Sequence, residues 1–194
     1  MTAGRPNRAP GARRAPAGDP DLHDLHAAQA DRAAFDVLYR RYLDRIYGYA
    51  FYQLGDHHDA EDATERTFLA ALRALPTFHD EGATFRAWLF RIAHNTILNA
   101  RRSRQRRRTE PLPADLEPLA PNADPAGLLD AAEERRRVMH AVDELPDDRR
   151  QVVLLRFVDG LSSREIGQVM DRSEGAARVL LHRALRDLAT ALER

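Results

Sequence analysis

The sequence predicts an all-α protein made of two small helical domains. Three observations support this prediction: Ala, Leu, Arg and Glu dominate the composition, apolar residues recur at helical spacing in both halves, and a Pro-rich segment separates the halves. A chain of 194 residues is long enough for two such domains. With 43% hydrophobic and 31% charged residues, each half has enough apolar side chains to bury a core.

Two segments fall outside the predicted domains, which cover residues 21–108 and 128–194. Residues 1–20 are rich in Pro, Gly, Ala and Arg without apolar periodicity, which predicts a disordered tail. Thr109–Gly127 combines five prolines with acidic residues, which predicts a flexible acidic linker. Its 19 residues could span roughly 65 Å when fully extended, so the domains could occupy DNA sites more than one turn apart.

Apolar spacing predicts three helices in the N-terminal domain. The first runs from Phe35 to Gly55, where glycine is a typical stop, and the second spans Asp59–Leu75. The predicted core-facing residues of the second helix are Ala63, Phe68, Leu69 and Leu72. A loop over Pro76–Ala83 leads to the third helix, which is expected to start at Thr84 or Phe85.

The C-terminal domain is also predicted to be helical. One helix is expected over Leu128–Leu145, and a second from Asp147 to Val158 is stopped by Gly160. Ser162 and Glu165 then have the spacing of a capping box, which opens a short helix ending near Met170.

The chain after Met170 completes a helix-turn-helix. Asp171 and Arg172 form the turn, Ser173 caps the last helix, and Gly167 lacks a side chain where the two helices would cross. An ordinary helical hairpin with solvated charges is the alternative, but the two caps, the turn length and the outward basic residues together favour DNA binding in the major groove. The expected duplex-binding residues are Arg164, Ser173, Glu174, Arg178, His182, Arg183 and Arg186.

Formal net charge is zero, which by itself argues against a nucleic-acid-binding protein, but the charges are segregated. All 30 basic residues are Arg, and six of them lie within residues 101–108 at the end of the third helix. Arginines together with Trp88 are typical of single-strand binding, in which bases stack and phosphates are paired. Trp88 is explained at least as well as a core residue, whereas clustered arginines repel one another and favour phosphate contact.

Five carboxylates lie within Asp56–Glu65, and this acidic segment has three interpretations. With His57 and His58 it could hold a metal ion for hydrolysis, but no two histidines have the i, i+4 spacing of metal-binding helices. A solvated acidic face explains it better, and docking to a basic partner is the third interpretation. We therefore expect neither a metal ion nor a cofactor.

The absence of cysteine excludes disulfides and thiolate chemistry, which fits a reducing compartment. No stretch is apolar enough to span a membrane, and the arginines near the N-terminus are not followed by the apolar segment of a secretory signal. We therefore expect a cytoplasmic protein without membrane insertion.

Four motifs follow one another along the chain. They are FDVLYRRY at residues 35–42, DAEDATERTF at 59–68, FRAWLFRIAHN at 85–95, and Leu145-Pro146 followed by the helix-turn-helix with His182-Arg183-Ala184. In this order they resemble bacterial RNA polymerase sigma factors of the extracytoplasmic-function (ECF) group of the sigma-70 family. The resemblance, which covers nearly all of the chain from residue 30, implies a non-enzymatic subunit that binds core polymerase and directs promoter-specific initiation.

The resemblance also implies roles for individual residues. The N-terminal domain corresponds to sigma region 2, whose acidic helix would bind core polymerase through Asp59, Glu61, Asp62 and Glu65. The loop and third helix would open and read the minus-ten element as a single strand through Phe78, His79, Arg86, Trp88, Arg91, Asn95, Asn99, Arg101 and Arg102. The C-terminal domain corresponds to region 4, which would read the minus-thirty-five duplex, while the linker threads through polymerase.

The chain departs from the family pattern at a few positions. Thr64 replaces a usual glutamine in the polymerase-binding helix, and Val179 and Leu180 replace polar or basic residues in the recognition helix. Val179 and Leu180 can contact thymine methyl groups instead of phosphates, which would change promoter preference.

Two other hypotheses remain open at this point. A free-standing regulator that binds duplex DNA as a dimer explains the C-terminal domain, but gives no task to the Trp88 helix or the acidic segment. A metal-dependent helical hydrolase lacks ligand spacing. Because sigma factors of this group are commonly inhibited by an anti-sigma protein between the domains, such a partner is also expected.

Overall fold

The computed structural model describes residues 19–79, 82–107 and 137–193. Within these ranges the chain is all-α, as the sequence predicts. None of the helices in the described ranges is long and apolar enough to cross a membrane. Residues 1–18 of the predicted tail and the whole predicted linker lie outside the described residues.

Helices α1 (Leu22–Ala30) and α2 (Phe35–Leu54) begin the fold. The end of α2 agrees with the prediction, because Gly55 adopts a left-handed φ of 68° that glycine accepts without steric strain. The sequence pattern does not predict α1, since only Leu25 and Ala28 bury their side chains along it.

A buried carboxylate attaches the start of α1 to α2. Asp21 is 2% exposed and accepts hydrogen bonds from the Arg41 guanidinium and the Tyr42 hydroxyl. Burial, followed by the hydrogen bond to Asp21, raises the pKa of Tyr42 far above its ordinary value. Helix α1 is therefore attached to α2 partly by polar contacts, and it lacks the apolar stripe from which a helix can be predicted.

Helix α3 (His57–Ala74) starts two residues before the predicted position. Asp56 is the N-cap, because its carboxylate accepts a hydrogen bond of 2.8 Å from the Asp59 backbone N–H. Phe68 is buried against the Phe35 and Tyr39 rings, as expected, but the prediction for Leu69 is wrong. Leu69 is 44% exposed because the next residue along a helix turns by about 100° away from the buried face.

Helix α4 (Phe85–Arg107) follows a short 3-10 turn, Leu75–Thr77. It buries Leu89, Phe90, Ala93 and Ile97 in the core. Its first backbone N–H, that of Phe85, donates to the Asp19 carboxylate from the other end of the domain. Asp19 is 8% exposed, so the disorder predicted for residues 1–20 is wrong at this position.

The C-terminal half contains α5 (helical residues 137–143), α6 (Asp147–Phe157), α7 (Ser163–Val169) and α8 (Glu174–Leu192). The predicted helix Leu128–Leu145 is described only from residue 137, and its earlier part lies outside the described residues. Gly160, with a φ of 66°, turns the chain between α6 and α7.

The two halves contact each other directly. Helix α7 packs on α4, and α6 packs on α2. We call these two contacts the domain interface and this arrangement the closed form. Its consequence is that the helix-turn-helix lies against the helix that carries Trp88.

Candidate nucleic-acid interface

Helices α7 and α8 form the predicted helix-turn-helix, and both predicted caps are present. Ser162 and Glu165 form a reciprocal capping box, in which the Ser162 backbone N–H donates to Glu165 Oε2 at 2.9 Å. Ser173 Oγ accepts from the Ala176 backbone N–H at 3.1 Å and caps α8. Asp171 takes a left-handed φ of 55° in the turn, a conformation that Asp adopts more readily than most residues. The two caps and this turn residue are thus all specified by residues within the motif.

Gly167 permits the tight turn between the two helices. A Cβ at this position would lie 2.7 Å from the Arg172 carbonyl oxygen and 3.3 Å from the Glu174 nitrogen. The close approach is therefore to the backbone of the turn and the start of α8, which is more specific than the helix crossing expected from the sequence. The Arg172 backbone N–H also donates to the Gly167 carbonyl at 2.8 Å.

The outer face of α8 is exposed and mostly basic. An i, i+4 ion pair of 2.5 Å joins Arg178 to Glu174 on this face. Val179 is 52% exposed, whereas Leu180 packs partly against the core. The exposed polar and charged residues are Ser173, Glu174, Arg178, His182, Arg183 and Arg186. A major-groove helix with these side chains can donate to phosphates and guanine and accept from cytosine.

A second exposed polar stripe follows α4. Arg91, Asn95, Asn99 and Arg102 are all exposed and recur at spacings of four, four and three residues, which places them on one helix face. Arginine side chains pair with phosphates, and asparagine side chains can donate and accept at base edges. This stripe can therefore contact nucleic acid along more than two helical turns.

Trp88 lies at the N-terminal end of the α4 stripe and is partly buried. Its ring centroid is 4.7 Å from that of Phe78 and 5.6 Å from that of Phe85. Trp88 is thus partly a core residue and partly a surface residue, so it can both pack in the core and present part of its ring to a base. Phe78 is only 7% exposed in this cluster, and of the two loop residues predicted to contact the minus-ten strand only His79 is exposed.

The arginine-rich end of α4 is partly used inside the protein. Arg101 pairs with Asp147 at 2.7 Å, and Arg104 contacts both the Leu54 carbonyl at 3.0 Å and Asp59 at 3.1 Å. The expectation that all six arginines contact phosphate therefore does not hold for these two in the closed form. Arg102 is exposed, and the side chains of residues 106–108 lie outside the described part of the chain.

Arg86 of α4 is bound by the helix-turn-helix. Its guanidinium donates to both carboxylate oxygens of Glu165, with distances of 2.7 to 3.0 Å, and Thr84 Oγ1 donates to the same carboxylate at 3.0 Å. Burial raises the pKa of Glu165, but hydrogen bonds from Arg86 and Ser162 outweigh burial and lower the pKa overall. The ionised Glu165 carboxylate, which belongs to the capping box, thus also connects α7 to α4 across the domain interface.

The domain interface contains polar atoms without partners. Among the described residues, the buried side-chain atoms without a hydrogen bond are Gln53 Nε2, Arg101 Nη1, Arg150 Nε and both carboxylate oxygens of Asp159. All four residues lie at this interface: Arg150 donates to the Gln53 carbonyl, Arg101 pairs with Asp147, and Arg45 donates to the Asp159 carbonyl. Each unpaired group costs about 1–3 kcal/mol, so these groups oppose formation of the interface.

The acidic face of α3 is exposed at Glu61 and Glu65. Asp59 pairs with Arg104 and Asp62 with Arg66, so two of the four predicted polymerase-binding carboxylates are partly neutralised. Leu69 extends the exposed face with an apolar side chain that the sequence interpretation places in the core. Within the described ranges, no group of three or more residues has the side chains needed to hold a metal ion.

Comparison with family models matches both halves of the chain. The Sigma-70 region 2 model matches residues 38–107, and the Sigma-70 region 4 model matches residues 135–188. The first match contains α4 and the acidic face of α3, and the second contains the helix-turn-helix.

Relatives with the same regions cover most of the chain. The ECF RNA polymerase sigma factor BldN of Streptomyces coelicolor is 36% identical over 184 residues, covering 92% of this chain and 70% of BldN. The ECF sigma factor SigE of Mycolicibacterium smegmatis is 33% identical, covering 86% of this chain and 65% of SigE. The sigma-H factor of Pseudomonas aeruginosa is 31% identical, covering 85% of this chain and 89% of that factor.

Two solved structures share the fold. CnrH in complex with the cytosolic domain of CnrY superposes with a TM-score of 0.67 at 26% identity, covering 89% of this chain and 97% of CnrH. The sigma factor RpoE of Bartonella quintana, in complex with the anti-sigma factor NepR, superposes with a TM-score of 0.65 at 23% identity, covering 82% of this chain and 96% of RpoE.

Proposed function

The chain belongs to the sigma-70 family, in the extracytoplasmic-function group of RNA polymerase sigma factors, and we propose that it reads both elements of a promoter. It is not an enzyme; its contribution is to direct core RNA polymerase to specific promoters. The observation that carries the proposal is that both family matches contain an exposed face of polar and basic side chains, one on α4 and one on α8. We assign residues 21–108 to region 2 and residues 128–194 to region 4, joined by the linker.

Region 2 opens and holds the minus-ten element. The α4 stripe tracks the strand through Arg91, Asn95, Asn99 and Arg102, and Trp88 provides an aromatic surface for a base. Extruding a base from the duplex costs a few kcal/mol, while stacking of a base on an aromatic side chain contributes about 1–3 kcal/mol. Phosphate contacts along the stripe add to the stacking, so strand opening is offset by contacts that only the open strand can make.

Region 4 reads the minus-thirty-five element as a duplex. The N-terminal half of α8 enters the major groove, where Arg178 donates to guanine or phosphate and Glu174 accepts from cytosine. Val179, which follows Arg178 and is exposed, packs against a thymine methyl group. The flanking residues His182, Arg183 and Arg186 contact the phosphate backbone.

Two protein partners follow from this function. Core polymerase docks on the acidic face of α3 through Glu61 and Glu65, and the exposed Leu69 adds apolar area beside them. An anti-sigma protein is the second partner, because CnrH was solved with the cytosolic domain of CnrY and the Bartonella RpoE with the anti-sigma factor NepR. Because bacterial transcription takes place in the cytoplasm, we assign the chain to that compartment.

Reconstituted transcription tests the proposed function. The full chain is mixed with core RNA polymerase, and co-migration, promoter footprinting and run-off transcripts are measured on fragments upstream of its own gene. We expect a stable holoenzyme and a start site that depends on the chain. A chain that forms no complex with core polymerase, or a palindromic footprint that is independent of polymerase, would overturn the proposal.

Reversing the acidic face of α3 is expected to prevent holoenzyme assembly. In Glu61→Arg/Glu65→Arg, both exposed carboxylates become cations that face a basic partner surface, and such like-charge contacts cost several kcal/mol. We expect the affinity for core polymerase, measured by fluorescence anisotropy of labelled chain, to fall by about a hundredfold or more.

The matched control changes the same charge elsewhere. Asp36→Arg/Asp44→Arg alters two exposed carboxylates of α2 and should bind core polymerase within about threefold of wild type. Equal losses for the two double variants would show that net charge, not the α3 face, governs binding.

Removing Arg178 is expected to weaken minus-thirty-five recognition. A bidentate arginine contact to guanine contributes about 1–3 kcal/mol, so Arg178→Ala should lower holoenzyme affinity for the cognate element by about ten- to a hundredfold. Arg73→Ala, at an exposed arginine of α3, is the control for charge loss. If Arg178→Ala weakens cognate and scrambled elements equally, Arg178 contacts only phosphate.

A further inference from the structure

We propose that α7 is a latch that covers the minus-ten-reading end of α4 and keeps the free chain in a closed form unable to take promoter DNA. The proposal rests on the proposed function, because the residues that α7 covers are those assigned to the minus-ten strand. It adds a regulatory role for the first helix of the helix-turn-helix, which otherwise only supports the recognition helix.

The central contact of the latch replaces a phosphate. Glu165 presents two anionic oxygens to the Arg86 guanidinium, in the bidentate geometry that arginine also uses for phosphate. Thr84 donates to the same carboxylate, so a second donor beside Arg86 is also occupied. The Nε and Nη2 donors of Arg86 are therefore occupied in the closed form and become available to the strand only when Glu165 leaves.

A second contact closes the segment before α4. Arg164 Nη2 and Gln168 Nε2 both donate to the Gly82 carbonyl, at 3.1 and 2.6 Å. Gly82 has a φ of 88°, a left-handed conformation that aims its carbonyl at α7. Residues on both sides of the α4 N-terminus are thus held by the same seven-residue helix.

The latch also brings the start of the recognition helix next to the strand-reading helix. A cleft of about 390 Å³ separates Trp88 and Arg91 of α4 from Gly167, Arg172 and Ser173 of the helix-turn-helix. Ser173 caps the start of α8, so the end of the recognition helix that enters the groove lies over the strand-reading helix. The closed form therefore holds the starts of the two DNA-reading helices next to each other across this cleft.

The latch is built to open. The buried side-chain atoms left unpaired within the described residues belong to Gln53, Arg101, Arg150 and Asp159, all at the domain interface. Separation of the domains gives each of these groups water as a partner, whereas the two domain cores stay intact. The hydrogen bonds between α7 and α4 favour the closed form, whereas the unpaired polar groups favour the open form. A reversible switch requires both effects.

The test measures closure and DNA binding in the same full-length chain. Because the sequence has no cysteine, cysteines introduced at the exposed Ala30 and Ala189 accept spin labels at defined positions outside both DNA surfaces. Glu165→Gln removes the charge on the latch but keeps a side chain that can serve in a capping box. Gln168→Ala removes the shorter of the two hydrogen bonds to the Gly82 carbonyl and provides a variant in which the capping box is unchanged.

The wild-type chain should give one narrow distance distribution, and both variants should add a broad, longer component. Binding of a short random-sequence fluorescent single-stranded DNA to the free chain should tighten about tenfold in Glu165→Gln, equivalent to about 1.4 kcal/mol. Glu193→Gln, an exposed glutamate at the end of α8, is the control and should match wild type in both measurements.

The outcomes separate this proposal from the proposed function. If both latch variants keep wild-type distances and wild-type DNA affinity, the latch is wrong even when the holoenzyme initiates transcription normally. If wild type fails to bind core polymerase while Glu165→Gln opens the chain, the sigma-factor assignment of these surfaces is wrong and the intramolecular latch is right.

Discussion

Asp159→Asn is expected to stabilise the closed form by about 2–4 kcal/mol at neutral pH and to remove most of its pH dependence. Asp159 is fully buried at the domain interface, and neither of its carboxylate oxygens has a hydrogen-bond partner. Burial raises its pKa from 3.8 to about 8, although Arg45 of α2 and Arg86 of α4 act in the opposite direction. An asparagine carries no charge to desolvate and takes up no proton on closing, so the ionisation part of the cost disappears, and only the cost of a buried unpaired amide is left.

The sign of the pH effect follows from the same carboxyl group. In the open form Asp159 meets water and is expected to keep its ordinary pKa, so closing takes up a proton between that value and about 8. The closed form is therefore most stable below pH 3.8, loses about 1.4 kcal/mol per pH unit as the pH rises, and is least stable above pH 8. Tyr49, which also faces Asp159, has a pKa raised by burial and stays neutral throughout this range.

Spin-label distances measured between mildly acidic and mildly alkaline pH test this prediction. The wild-type chain should shift toward the open distances as the pH rises, whereas Asp159→Asn should stay closed. The control Asp44→Asn changes an exposed carboxylate of α2 and should follow wild type. Glu165 adds no slope above its ordinary range, because its lowered pKa keeps it ionised in both forms. A wild-type distribution that does not change with pH would contradict the prediction.

Gly167→Ala is expected to lower the free energy of unfolding of the C-terminal half by about 2–3 kcal/mol. The added methyl group would meet the Arg172 carbonyl oxygen at 2.7 Å, and the opposing atoms belong to the backbone of the turn. Neither α7 nor the start of α8 can move away without losing the Arg172 to Gly167 backbone hydrogen bond. The turn must therefore distort, and duplex binding should fall with it.

Gly175→Ala is the matched control for this substitution. A Cβ at Gly175 meets nothing within 4 Å, and the residue is exposed in the first turns of α8. Alanine should stabilise the helix there by about 0.5–1 kcal/mol, because glycine loses more conformational entropy on folding. Urea unfolding followed by circular dichroism gives both values, and equal midpoints for the two variants would refute the steric explanation.

The features that the sequence predicts best are local ones. The capping box at Ser162, the cap at Ser173 and the stop at Gly55 each depend on neighbouring residues, and the structure contains all three. The chain also has the all-α fold and family membership that its ordered motifs predict. These features can be predicted because the capping or stop residue and the helix end that it determines are only a few residues apart in the sequence.

Features that depend on distant residues are the ones that sequence reasoning misses. Helix α1 is held by polar contacts of Asp21 to α2, so its apolar periodicity is weak. Arg101 and Arg104 pair with carboxylates about 45 residues away, and Arg86 pairs with Glu165, 79 residues away. The periodicity of a sequence gives no information about ion-pair partners that are distant in the chain. An arginine cluster therefore suggests phosphate binding even when some of its arginines are paired with carboxylates inside the protein.

The hydrogen bond between Asp19 and the Phe85 amide constrains the order in which the domain is completed. The two groups are 66 residues apart in sequence, so during synthesis Asp19 leaves the ribosome long before the helix terminus that it caps. Helices α1 to α3 can begin to pack while α4 is still being made, but the α4 N-terminus is capped only when the Phe85 amide meets Asp19. Maturation of the strand-reading helix is therefore a late, long-range event in the folding of its domain.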